Sequence, residues 1–379
     1  MFTFSTPNSK HRHSVIFPKL RAKRTSSTQS SKSSNVVHSV IANCNVTKHP
    51  YLTPQPTRIT SRTSTLWKNC SLPNKKPTTV PVPMSPILLP QHPNGPPPKY
   101  QAKTLFHTTN LKSDGLKQFA IQRTDSLGAL GEVIIATPNN TNIQVAIQTI
   151  EFNQKHRHFT ENNKLLPSEI YLLKQLSHPN IISCYHYSFT GTNWLLVLEY
   201  NPRWQTLSSL LKNSFGGLCE FDAWFIIQQL LSAVSHCIHK GVDHRNLTTN
   251  NILIDPVTLE IKLVNFSCAT ELSTAIPYSR VAGDANILPP EWYSRRFYQP
   301  LQGIVWSLGL LLFEMLCGTK AVLNFDKKGI NWNQIANARS PVSDRCLDLL
   351  VGCLEYRPEK RLMFSHLCRN EWIVNETEI

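Results

Sequence analysis

Amides stand where this sequence concentrates its polar chemistry. Val242-Asp243-His244-Arg245-Asn246-Leu247-Thr248-Thr249-Asn250-Asn251-Ile252-Leu253 is followed, after a short turn, by Lys262-Leu263-Val264-Asn265-Phe266-Ser267. A side-chain amide offers one neutral oxygen and an NH2 group, and it takes up no proton at neutral pH. Asn246 therefore cannot serve as a general base. Asn265 can present only one neutral oxygen to a hard divalent cation, which prefers carboxylates. Gln148, at the end of Gln144-Val145-Ala146-Ile147-Gln148, has no charge with which to hold an anion.

The elements around these residues follow from apolar periodicity. Phe119-Ala120-Ile121, Ile134-Ile135-Ala136 and Gln144 to Gln148 read as strands, with Ser126-Leu127-Gly128-Ala129-Leu130-Gly131-Glu132-Val133 as a Gly-rich hairpin whose backbone amides could approach phosphates. Pro167 to Lys174 has helical spacing, with Ile170, Leu173 and Leu176 on one face. Asn180-Ile181-Ile182-Ser183 and Trp194 to Tyr200 read as two further strands, and Phe221 to Lys240 as a long helix ended by Gly241. The apolar run Val305 to Cys317 contains Glu314 and is shorter than the ~20 residues a bilayer span requires, so it reads as a buried helix and no membrane is expected.

The order and spacing of these segments resemble the protein kinase superfamily. His244, Arg245 and Asn251 fall on the His-Arg-Asp-x-x-x-x-Asn pattern with Asn246 at the aspartate, and Asn265-Phe266-Ser267 falls on Asp-Phe-Gly. Val145-Ala146-Ile147-Gln148 is similar to Val-Ala-Ile-Lys, Glu169 sits at the helix glutamate, and Ser126 replaces the first glycine of the loop. The proline-containing hinge after Glu199 and Pro289-Pro290-Glu291-Trp292 resemble PIM-type Ser/Thr kinases.

The resemblance implies an α+β, two-lobed protein-kinase fold, with a small β-rich lobe at 116–199 and a large helical lobe at 200–375, after a disordered basic Ser/Thr/Pro-rich extension at 1–115. It implies ATP and Mg2+ as cofactors, with weak or absent binding. Ser126, Gly128, Gly131, Val133, Ala146, Gln148, Glu169, Glu199 and Leu253 would line the nucleotide site, Ala146 as roof and Leu253 as floor. Asn246, Thr248 and Asn251 would occupy the catalytic positions, and Asn251 with Asn265 the metal position. Thr248 stands for the lysine that steadies the transferred phosphate, and Asp284 for a threonine near the missing base. His244, Arg245 and Phe266 would be structural, as would a partly buried Glu291–Arg361 ion pair. A hydrogen bond from Gln148 to Glu169 would replace the usual lysine–glutamate pair.

The net charge of +15 is local. Residues 1–100 hold fourteen of the 39 Lys and Arg and no acid, so the remaining 279 residues carry 25 basic against 24 acidic side chains. Fifteen of the 26 prolines lie in the same hundred residues, which cannot bury enough apolar surface to offset ordering. Such a tail is open to three readings: a solvated arm, an import signal at Lys19 to Arg24, or an organelle transit peptide. Nucleic-acid binding through it is a lesser alternative, because aromatics are not interleaved with its basic residues. The ten cysteines are scattered singly without zinc spacing, which fits reduced thiols in an intracellular, cytoplasmic or nuclear, setting. Loss of formal charge at three catalytic positions points to an impaired pseudokinase that acts on a protein partner as an interaction or regulatory module. The alternative is an active Ser/Thr kinase that transfers the ATP γ-phosphate with unusual chemistry.

Overall fold

A computed structural model describes residues 115–139, 141–152, 158–161, 164–321, 323–324 and 329–374 of the chain. The basic extension and its import and transit readings lie outside the described residues. In the small lobe, β1 (Phe119–Ser126), β2 (Glu132–Pro138) and β3 (Val145–Glu151) are followed by the hairpin β4 (His158–Glu161) and β5 (Lys164–Pro167), helix α1 (Ser168–Leu173), β6 (Cys184–Phe189) and β7 (Asn193–Glu199). Five strands form one antiparallel sheet in the order β1-β2-β3-β7-β6.

Alternation along β3 and β7 sends side chains to opposite faces. Ala146, Leu196 and Leu198 join the main core, whereas Val145, Ile147, Leu195 and Val197 build a separate cluster with Phe119 and Ala136. Gln148 pairs in register with Leu196, which places it on the main-core face.

The large lobe begins with β8 (Gln205–Thr206), α2 (Leu207–Asn213) and α3 (Glu220–His239), then β9 (Val242–Asp243), β10 (Ile252–Ile254), β11 (Ile261–Leu263) and β12 (Thr270–Glu271). Helices α4 (Pro290–Arg295), α5 (Pro300–Cys317), α6 (Asp344–Cys353), α7 (Phe364–Leu367) and α8 (Glu371–Val374) complete the core elements. Helix α5 is apolar on most sides because most of it is buried: Val305, Trp306, Leu308, Leu312, Phe313 and Met315 are each at most 2% exposed. Glu220 ties the end of the chain to α3, accepting from Trp372 Nε1 at 2.6 Å and from the Ser343 amide at 2.7 Å.

One expected strand is displaced. Asn180 to Ser183 forms only a single bridge, from Ile181 to Leu263, and the sheet strand starts at Cys184. Ile181 and Ile182 are buried not in the sheet but where the Asn180 side chain reaches Gln229 Oε1 (2.9 Å) and the Ile261 carbonyl (3.2 Å). A short apolar run carries too little periodicity to separate these two kinds of burial.

Candidate functional site

The β10–β11 hairpin sets the two asparagine segments side by side, with Ile252 opposite Leu263 and Leu253 opposite Lys262. The Val264 amide donates to the Asn251 carbonyl at 3.0 Å, and His244 Nε2 donates to the Val264 carbonyl at 2.9 Å. A carbonyl can only accept, so the proton is on Nε2 and Nδ1 is left to accept the Asn246 amide at 3.3 Å. Burial holds the His244 pKa down to about 4, against the pull of the Val264 carbonyl. The ring meets the fully buried Phe266 edge-on at 4.8 Å. Arg245, at φ 57°, reaches the segment beyond β12: its Nη2 donates to the Arg280 carbonyl at 2.6 Å and its guanidinium lies 4.1 Å over Tyr278.

Three asparagines close on one another. Asn251 Nδ2 donates to the Asn246 carbonyl at 2.7 Å and to Thr248 Oγ1 at 3.2 Å. Asn251 Oδ1 accepts from Asn265 Nδ2 at 3.0 Å, and Asn265 Oδ1 accepts from Ser267 Oγ at 2.6 Å. The orientation is over-determined. The Asn246 carbonyl demands the NH2 end of Asn251, which leaves an oxygen facing Asn265, which must therefore present its own NH2. Asn265 sits at φ 63°, a left-handed conformation that asparagine tolerates better than most residues.

Asn246 Oδ1 accepts the Asp284 amide at 3.1 Å. Gly283 permits this approach, since a Cβ at that position would lie 2.6 Å from Asn246 Cγ. Asp284 turns its carboxylate away from Asn246, accepting the Asn286 amide at 2.9 Å and facing Lys320 at 3.4 Å. Burial raises its pKa, but these donors together hold it below the usual carboxylate value.

In the small lobe, the loop between β1 and β2 is a 3-10 turn at Gly128–Leu130. The Leu127 amide donates to the Gly131 carbonyl (3.1 Å), Leu130 to Leu127 (3.1 Å) and Gly131 to Gly128 (3.0 Å), and the Ser126 amide caps Asp125 Oδ1 at 2.8 Å. These amides, expected to approach phosphates, are spent within the loop. Val133, Ala146 and Leu253, the expected walls of the nucleotide site, are fully buried in the main core.

The expected hydrogen bond between Gln148 and Glu169 is not made. Gln148 Nε2 instead donates to the Leu130 carbonyl at 3.4 Å, and its buried Oε1 has no partner. Glu169 is buried on α1 and accepts the Phe266 amide; burial pushes its pKa up to about 7, against that hydrogen bond. The physical reason is the missing cation: a neutral amide gains little by reaching a buried carboxyl that the Phe266 amide already satisfies. Glu199 spends its side chain on the fold as well, pairing with the buried Lys262 and accepting the Ser183 amide at 2.9 Å.

The charged pair of the large lobe is more buried than expected. Arg361 donates from Nη1 to Glu291 Oε1 at 2.9 Å and from Nη2 to Glu291 Oε2 at 2.8 Å, with the side chains 0% and 4% exposed. Its remaining donors reach the carbonyls of Glu355 (3.0 Å), Gln302 (3.1 Å) and Tyr356 (3.5 Å), and its guanidinium lies 5.0 Å over Trp306. Bidentate geometry with every donor satisfied is the condition under which a desolvated ion pair is tolerated.

The Mg2+ that the resemblance implies does not fit this donor set. Both oxygens that would converge on a cation, Asn251 Oδ1 and Asn265 Oδ1, already accept hydrogen bonds. Among the described residues no group of three or more His, Cys, Asp or Glu is placed to hold a metal. Sequence reasoning missed Ser267, whose hydroxyl completes the network, and Leu127 and Leu130, which are 6% and 5% exposed. The signals were present: a serine at the glycine of Asp-Phe-Gly, and two leucines in a loop that otherwise needs small residues.

A protein kinase domain matches residues 126–373. The serine/threonine protein kinase OSK3 of Oryza sativa subsp. indica is 29% identical over 69% of the chain and 51% of its own length. Serine/threonine-protein kinase SIK1 of Mus musculus is 30% identical over 67% of the chain and 32% of its own length. Serine/threonine-protein kinase pim-2 of Danio rerio is 27% identical over 72% of the chain and 90% of its own length. The chain thus spans about half or less of the rice and mouse relatives and most of the fish one. These identities are too close together to favour one subgroup, but the matched region runs through both lobes, and the chain belongs to the protein kinase domain family.

Proposed function

We propose that this chain is a pseudokinase: a protein-kinase-like domain, related to Ser/Thr kinases, that acts by binding a protein partner inside the cell rather than by transferring phosphate. The observation that carries the reading is the 3.0 Å hydrogen bond from Asn265 Nδ2 to Asn251 Oδ1. Phosphoryl transfer depends on positioned phosphates and on cations that neutralise developing charge. Here Asn251 Oδ1, an oxygen that would face the metal, receives an N–H from Asn265 instead. Gln148 supplies no positive charge, and Asn246 supplies no base. Losing a general base alone typically costs about 10²–10⁴-fold in rate.

Single-turnover ATP consumption, with and without Mg2+, tests the reading. The wild-type protein should consume no ATP and should label neither itself nor a basic peptide. Activity restored only in the Gln148→Lys, Asn246→Asp, Asn265→Asp triple variant would support it further. Wild-type labelling that disappears on Asn246→Ala would overturn it in favour of an active kinase with unusual chemistry. The partner is a protein surface, a true kinase or a kinase substrate.

A further inference from the structure

The loop between β1 and β2 does more than turn its amides inward. A Cβ built on Gly128 would lie 2.1 Å from Thr206 Cγ2 and 3.2 Å from the Asn250 carbonyl. Thr206 pairs with Leu253 across β8 and β10, and Asn250 precedes Asn251. The backbone of the small-lobe loop therefore rests on the floor of the cleft, in the space between roof and floor where a nucleoside would lie.

Two contacts hold it there, and the turn is closed on itself. Leu127 and Leu130 belong to the main core, together with Val133, Ala146, Leu198 and Leu253. Gln148 donates to the Leu130 carbonyl. The turn closes on itself through the Leu127, Leu130 and Gly131 amides. Gly128 is the residue that makes the approach possible: it has φ +57° and no side chain where none would fit.

We propose that the Leu127–Gly131 turn is an internal lid seated in the nucleoside site, so that adenine-type ligands bind only in the fraction of molecules whose lid has lifted. This goes beyond the loss of chemistry, and it holds whether or not the open cleft could transfer phosphate. The apparent dissociation constant is the intrinsic one divided by the open fraction, so a lid closed about 99% of the time weakens binding about 100-fold. Closing buries two leucines at the expense of ordering a short loop, and a ligand must displace both.

The full-length protein can be titrated with N-methylanthraniloyl-ATP in EDTA and followed by fluorescence anisotropy. Gly128→Val places a side chain against Thr206 and the Asn250 carbonyl, and strains a positive φ. It should lift the lid and tighten binding by at least about tenfold over wild type. Leu130→Ser leaves the backbone free to adopt either state but removes a buried anchor. It should tighten binding by a smaller factor, and it decides the matter alone if the valine variant does not fold. Hydrogen exchange provides a ligand-free readout: the Leu127, Leu130 and Gly131 amides should be protected in wild type and lose protection in both variants. Equal or weaker binding by the folded variants, or wild-type amides that exchange as an open loop does, would overturn the lid. Failure of the pseudokinase reading appears separately, as ATP turnover.

Discussion

The Glu291–Arg361 pair and the Asn246–Asn251–Asn265 network are both polar assemblies satisfied by hydrogen bonds, but only the first carries charge. The pair joins α4 to the segment before α7 and is desolvated on all sides, with five donor contacts from one guanidinium. The network joins the segment after β9 to the one after β11 with neutral donors and acceptors throughout. The contrast separates two uses of charge in one fold. Where a charge holds the scaffold, it is retained at full burial. At the base and metal positions it is replaced by an amide, and the Asn265 amide bonds to Asn251. A neutral network needs no metal to be stable.

The largest expected effect lies in the charged region. Glu291→Gln or Arg361→Met leaves a buried partner without its counter-charge and should cost about 3–5 kcal/mol in chemical denaturation. A Glu291→Leu/Arg361→Met double variant should cost less than the two singles combined. A single substitution with no measurable cost would erase the contrast.

Glu169 tests it from inside the cleft, as a buried carboxyl with no cation. Its folded pKa, about 7, lies above the ordinary value of 4.5. The folded state therefore holds the proton longer. The associated stability is present below pH 4.5, falls as pH rises towards 7, and is flat beyond. At about 1.36 kcal/mol per pH unit, the loss relative to Glu169→Gln should reach at most about 3 kcal/mol. His244, whose pKa is depressed to about 4, works in the opposite direction as pH falls, so the two proteins must be compared at each pH. Parallel stability profiles for wild type and Glu169→Gln would show that a cation serves Glu169 after all.

Asn265→Asp sharpens the contrast at the metal position. A carboxylate has no N–H to give Asn251 Oδ1, so two acceptors would face each other at a cost of about 1–3 kcal/mol in EDTA. Mg2+ should recover part of that loss in the variant and leave the melting temperature of wild type unchanged. A wild-type melting temperature that rises with Mg2+ would break the comparison. The smallest effect belongs to the exposed Lys320–Asp284 pair, 3.4 Å apart with the lysine 58% exposed. Lys320→Ala should change stability by at most about 1 kcal/mol, because water screens the pair.

Much of the fold was legible because helices and strands with one buried face declare their period: α3 and α5 lie where apolar spacing placed them, and β3 and β7 pair as the alternation requires. The Ile181–Ile182 pair was not, since two buried residues fit a strand and a docked loop equally well. The substituted positions were also readable, because an amide's lack of charge is a property of the residue itself.

By itself, then, the sequence determined which groups the cleft lacks: a base at 246, a carboxylate at 265 and a cation at 148. The tertiary structure decided what those groups do instead. That Asn265 gives its N–H to Asn251, that Gln148 reaches a loop carbonyl rather than Glu169, and that Gly128 settles on Thr206 are choices among competing partners. Such choices turn on distances across segments far apart in the chain, and local sequence carries no record of them.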